Sequence, residues 1–282
     1  MKKPNIETKS EHLYHYTDAN GLIGILEKNE IWATDSRFLN DSMEIKAGID
    51  LAKNHLKSKV KELENSETKY KEEIIHFYGV LSNLIEQNLI NRNIYIASFT
   101  KHRDNLRQWM SYCPANAGYA IVFKTDKLFD HPPTLSESLA KRLMDVNYKK
   151  ELDDEELEPE RLIKKLEHLI FQKEDIPAYT LELSNRLVFK CAAIKNEEFY
   201  DEDEVRLLML SDINKSNKRN HRNKSGIILP YQKFEITKNC ISEIIIGPNA
   251  NMELAKSGLN DLLHKNSYNC KVTFSNCSLR VF

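Results

Sequence analysis

Short β-prone runs stand near both ends of this chain, with two long blocks of helical periodicity between them. That order constrains the fold more than any other feature. Early runs lie at 13–17 (Leu-Tyr-His-Tyr-Thr), 31–34 (Ile-Trp-Ala-Thr), 95–100 and 118–123; late ones lie at 205–210, 226–236, 241–247 and 270–281. The first helical block covers Met43 to Leu63 and Tyr70 to Asn91, where Ile74, Phe77, Leu81, Leu84, Ile85 and Leu89 recur at i, i+3/i+4 and i+7. The second follows Pro132-Pro133, spans 134–195 and contains an acidic stretch from Glu151 to Glu160. Shorter helices are expected after Asp18, over 104–112 and over 252–264, and a loop over 35–41. Strands from both ends must pair across the inserted helices. The expectation is an α+β chain, one domain over 1–282, with a mixed or antiparallel β core and helical insertions at 43–91 and 134–195 flanking it.

Composition excludes several classes. Against 42 Asp+Glu stand 41 Lys+Arg, so the net charge of -1 offers no global polycation for nucleic acid or an anionic membrane. No apolar run approaches the roughly 20 residues of a bilayer span, and Met1-Lys2-Lys3-Pro4 leads into polar residues rather than a signal-peptide core. A soluble, cytoplasmic protein is expected. Five cysteines, widely spaced and without a CxxC pair, read as reduced, mostly buried thiols rather than zinc ligands. Neither GxGxxG nor GxxxxGK[ST] occurs, which sets aside a Rossmann phosphate turn and a P-loop.

Several constellations carry chemical potential. Alternation on the first run puts His15 and Thr17 on one face, a pairing suited to a ribose diol or an amide, and Tyr14 and Tyr16 on the other. Ser98 and Thr100 alternate onto one face where another run ends. In Glu202-Asp203-Glu204-Val205-Arg206, a strand beginning by 202 would put both glutamates and Arg206 on one face, a general base with a neighbour that keeps it ionised. Arg37 is placed to meet a phosphate, with Asn40 or Asp41 capping the next helix. Trp109 and Tyr112 sit one turn apart, where core packing competes with ligand contact. A basic loop over 215–224 (Lys215, Lys218, Arg219, His221, Arg222, Lys224) offers contact with a phosphate-bearing partner; the bland alternative is a solvated connection.

These motifs, with Gln108-Trp109, Gly118 to Phe123 and Ile244-Ile245-Ile246-Gly247-Pro248 following in order, resemble the bacterial DUF2971 family. A more distant resemblance is to ADP-ribosyltransferase-fold proteins, among them DNA-targeting toxins and tRNA 2′-phosphotransferases. It implies an ADP-ribosyltransferase-like core in which His15, Tyr16 and Thr17 hold the NAD ribose and Ser98 and Thr100 shape the nicotinamide pocket. It also implies that Glu204, with Glu202 and Arg206, is the catalytic group. Arg37, Trp109 and Tyr112 join the cofactor-binding set. A fixed carboxylate opposite C1′ would stabilise the charge that develops as the nicotinamide–ribose bond breaks, and no metal is expected. The acceptor would be a protein or nucleic acid, and a toxin or phage-defence role would bring a neutralising partner. Two rival readings are a non-catalytic nucleotide- or nucleic-acid-binding module and, third, a metal-dependent phosphoesterase or RNA-processing enzyme.

Overall fold

The computed structural model describes residues 6–39, 42–113, 118–130, 140–149, 152, 154–212, 219–224, 226–248 and 251–277. Eleven strands are seen among them: β1 (Ile6–Glu7), β2 (His12–Thr17), β3 (Glu30–Asp35), β4 (Arg92–Thr100), β5 (Tyr119–Lys124), β6 (Ala140–Asp145), β7 (Glu204–Asp212), β8 (Asn220–Lys224), β9 (Ile227–Glu235), β10 (Ile241–Ile246) and β11 (Lys271–Phe274). The helices are α1 (Ala19–Lys28), α2 (Ser42–Glu64), α3 (Lys71–Asn91), α4 (Leu106–Tyr112), α5 (Pro159–Gln172), α6 (Ile176–Ala192) and α7 (Met252–Lys265). No helix among the described residues is long and apolar enough to cross a membrane.

The strands form one mixed sheet in the order β1-β6-β7-β4-β2-β5-β10-β11. The pairs β1–β6 and β10–β11 are parallel and the rest antiparallel. The sheet branches at β4. One edge of β4 pairs with β7 along its whole length, Arg92↔Asp212 to Thr100↔Glu204. The other edge is divided: β2 takes its end (Tyr14↔Thr100), and β3 takes its middle (Asp35↔Tyr95, Thr34↔Ile96). From β3 the branch continues through β9 to β8. Between these two partners, residues 97–99 of β4 face a fork.

Each face of the sheet carries its own core, because alternate side chains of every strand point to opposite sides. On one face Leu13, Ala97, Phe99, Ile121, Phe123, Val205 and Leu207 pack with α1 and α7. On the other Ile94, Ile96, Met144, Leu208 and Leu210 pack with α2, α3, α5 and α6. Burying each such large side chain contributes about 1.5–3 kcal/mol. The helical blocks thus roof the sheet rather than forming a lobe of their own. Local signals set the helix ends. The Asp18 carboxylate accepts the Gly21 N–H at 2.7 Å to start α1, and Asn29, at φ 52°, stops it. Asn105, not Asp104, caps α4.

Four expectations are corrected. The block 134–195 is not helical throughout: it contains β6, whose charged Lys141-Arg142 start hides a strand that pairs with β7 from Ala140↔Leu210 to Asp145↔Val205. Glu202 is not on a strand: residues 197–202 form a 3₁₀ turn, Asp203 takes φ 40°, and β7 begins only at Glu204. Half of the basic loop is β8, hairpinned to β9, while residues 213–218 lie outside the described set. The last expected strand, over 270–281, ends at Phe274: residues 275–277 are not strand, and those from 278 lie outside the described residues. All five cysteines are free, three of them buried, and burial pushes the Cys113, Cys191 and Cys240 thiols up to about 12.

Candidate functional site

Glu204 opens β7 and is 5% exposed. Its side chain lies on the helical face of the sheet, with Arg206, Leu208 and Leu210. The Arg206 guanidinium grips both carboxylate oxygens, Nε to Oε1 at 3.0 Å and Nη2 to Oε2 at 3.2 Å, and its Nη1 donates to the Ala192 carbonyl at the end of α6 (2.8 Å). Lys195, three residues on, donates to Glu204 at 3.1 Å and to Glu202 at 2.8 Å and lies over the Phe199 ring. Two carboxylates therefore meet two cations. Burial works to raise the Glu204 pKa, but the Arg206 and Lys195 charges and a hydrogen bond from Ser98 outweigh it and hold the carboxyl below its usual range. An ionised carboxylate so compensated is a weak base. Its charge is available to a ligand only after a cation moves away.

Beside this cluster lies a cleft of about 400 Å³ lined by Val146, Asn147, Tyr148, Lys149, Glu197 and Tyr200. The Tyr148 hydroxyl accepts the Glu204 backbone N–H (2.9 Å), and its ring meets Tyr200 edge to face at 5.4 Å. Tyr200 is 69% exposed and Tyr148 is pushed up to about 12, chiefly by burial. Neither tyrosine figured among the expected site residues; an aromatic in a polar stretch leaves no periodic signal.

The fork forms a second locus. The His15 Nδ1 lies 2.9 Å from the Ser98 carbonyl, which can only accept, so Nδ1 carries the proton and Nε2 presents its lone pair. The imidazole packs against Phe99, its centroid 5.7 Å away. Burial, more than the nearby Arg222 charge, pulls its pKa below the ordinary value, while the Ser98 bond works to raise it. Arg222 reaches this region from β8, donating to the Thr34 hydroxyl at 2.6 Å and lying over the Trp32 and Tyr231 rings.

The structure thus brings the three expected motifs onto neighbouring strands, β2, β4 and β7, with Ser98 between them. Its carbonyl meets His15, and it pairs across the strands with Arg206. It does not put them on one face: His15 lies on the Phe99 side of β4, and the carboxylates lie on the helical side. Thr17 stands on the His15 face, its hydroxyl filling the space a β-carbon on Gly21 would need.

Other expected residues have structural partners. Arg37 is held by Asp35 through two bonds, 3.0 and 2.7 Å. Tyr16 packs edge-on against Trp109 at 4.6 Å and donates to the His102 carbonyl. Trp109 is 1% exposed and donates to Asp104. The Thr100 hydroxyl closes a turn, donating to the Glu202 carbonyl (2.6 Å) and accepting the His102 N–H. Tyr112 is exposed on α4. Asn40 and Asp41 lie outside the described residues. No group of three His, Cys, Asp or Glu residues among the described ones is arranged to hold a metal.

Residues 108–207 match the model of a family described as a protein of unknown function (DUF2971), which supports that resemblance over α4 to the start of β7. The match includes Lys195, Glu202, Glu204 and Arg206 and stops short of His15, Ser98 and Arg222. No curated protein and no solved structure matches the chain.

Proposed function

We propose that this chain is an ADP-ribosyltransferase-like enzyme that cleaves the nicotinamide–ribose bond of NAD and passes ADP-ribose to a protein or nucleic-acid acceptor. The observation that carries this reading is that the three motifs fall on neighbouring strands, β2, β4 and β7, with the His15 imidazole on the Ser98 carbonyl and Glu204 opposite Thr100. In this reaction the C1′–N bond breaks, nicotinamide leaves with the bonding pair, and the cationic ribose is captured by an acceptor nucleophile that then loses a proton. Neutral His15, on the other face of β4, offers Nε2 to a part of the cofactor away from the C1′ that Glu204 would face. Glu204 is kept ionised, the state that a developing cation requires. For that role it must exchange the Lys195 ammonium for the ribose, and the cleft at Tyr148 and Tyr200 lies on its side of the sheet.

The test is nicotinamide release from NAD by the purified protein, with and without cell lysate, followed by mass spectrometry of whatever gains mass. The expected result is release that falls by about 100-fold or more in Glu204→Gln, as for loss of a transition-state charge contact of roughly 3 kcal/mol. Equal release by the two proteins would remove Glu204 from the mechanism. The closed pairing of both carboxylates favours a second reading, a nucleotide-binding module without turnover. It predicts nucleotide binding with no nicotinamide released under either condition.

A further inference from the structure

We infer that Arg222 is an anion-binding residue that receives a phosphate group of a small nucleotide in the fork between β2 and β3. The position follows from register. Thr34 pairs with Tyr231, and Tyr231 with Asn220. Alternation from those pairs puts Trp32, Thr34, Tyr231 and Arg222 on one face of the β3–β9–β8 branch. There the guanidinium lies 5.7 Å from the Trp32 ring centroid and 6.0 Å from that of Tyr231. The two rings are 4.7 Å apart and tilted by 32°. Aromatic faces orient a planar guanidinium and restrict its rotamers, as a preformed binding group requires.

Among the described residues the Arg222 charge has no ion-paired partner, and the one hydrogen bond of the guanidinium goes from Nη2 to the neutral Thr34 hydroxyl. Its Nε is buried and has no acceptor among the described residues. The carboxylate that acts on it electrostatically is Asp18, which is already the cap of α1. Arg222 is half-buried, and a cation with a buried, unbonded Nε is stabilised when an anion arrives. Thr34 also pairs with Ile96, so this face of the branch is the helical side of β4, opposite the Phe99 side on which His15 lies. Guanidinium N–H groups beyond the one bonded to Thr34, among them the buried Nε, fit a phosphate ester. Arg222 belongs to a strand, not to the solvated loop that sequence alone suggests, and the chain carries no net positive charge to follow a polymer backbone. The occupant assigned is therefore a small nucleotide.

The site stands whether or not NAD is turned over, and the experiment separates the two. Binding of ADP and of adenosine to the full chain is measured by calorimetry for the parent, Arg222→Met and Arg222→Lys. Melting temperatures are recorded with and without inorganic pyrophosphate. ADP should bind the parent at least 10-fold more tightly than adenosine does. Arg222→Met should lose about 10- to 100-fold in ADP affinity, the range of a charge-assisted hydrogen bond, and leave adenosine unchanged. Arg222→Lys should retain part of the ADP affinity. Arg222→Met fills similar volume without a buried charge, so its melting temperature without ligand should equal or exceed that of the parent, while the upward shift with pyrophosphate is lost. Equal ADP affinity in parent and Arg222→Met would overturn the assignment. So would absence of ADP binding by the parent, or binding of a single-stranded oligonucleotide in place of ADP. ADP binding that depends on Arg222 with no nicotinamide release leaves the anion site standing and removes the transferase. NAD turnover with unchanged KM in Arg222→Met does the reverse.

Discussion

Two arginines, Arg206 buried and Arg222 half-buried, meet their surroundings in opposite ways. Arg206 is 2% exposed, and its described bonds go to a carboxylate and a helix-end carbonyl. With Lys195, Glu202 and Glu204 it forms a balanced group of two cations and two anions. Arg222 lies beside the packed Trp32 and Tyr231 rings, bonded to the Thr34 hydroxyl, with a buried Nε that donates to no described residue. The difference follows from their surroundings. Arg206 sits where β7 meets α6, inside the chain's own packing, and its partners arrive with the fold. Arg222 sits near where the sheet divides, and it meets aromatic faces but forms no ion pair with a carboxylate of the described residues.

The sharpest way to break this comparison is to remove each guanidinium in turn. Arg206→Met should cost about 3–5 kcal/mol in urea unfolding, because it leaves Glu204 buried with half its compensation. Arg222→Met should cost close to nothing. Similar losses in both would mean that the two sites do not differ in the way described. Lys195→Met comes next, with an expected loss of about 1–3 kcal/mol, because Glu204 keeps Arg206 while Glu202 loses its ammonium. If the transferase reading is right, the same variant should change nicotinamide release more than a distant variant of equal stability loss does.

The smallest effect is in pH dependence. The folded-state pKa of His15 lies below the ordinary 6.5, so between those two values the unfolded chain binds a proton that the folded chain does not. Stability associated with His15 is therefore complete above about pH 6.5 and declines as the pH falls towards the folded value. His15→Asn keeps a donor for the Ser98 carbonyl and has nothing to titrate there. Its melting temperature should fall less steeply than the parent's between pH 7 and 5.5. Parallel curves would show that the imidazole is not held neutral by the fork.

Much of the fold could be read from period alone. The blocks at 43–63 and 70–91 became α2 and α3 because apolar residues at i, i+3/i+4 and i+7 need a surface to cover, and the sheet supplies it. The continuous apolar runs at 118–123 and 241–247 became paired neighbours, β5 and β10, buried on both faces. Missed elements had charge where a strand was: β6 begins Ala140-Lys141-Arg142, and β8 is Asn-His-Arg-Asn-Lys. Such strands are specified by their partners' hydrogen bonds rather than by their own side chains.

The candidate site divides along the same line. Sequence by itself determined which residue types stand near one another in the chain: His15 with Thr17, Ser98 with Thr100, and Glu204 with Arg206 two apart on one strand face. These are local facts, set by the two-residue period of a β-strand. Only the tertiary structure decided that Lys195 closes over both glutamates, that His15 and Glu204 fall on opposite sides of β4, and that Arg222 meets Trp32 and Tyr231. Each of those depends on which strands become neighbours and where β4 changes partner. Pairing across long sequence separations is decided by burial of whole faces, to which no single motif holds the key.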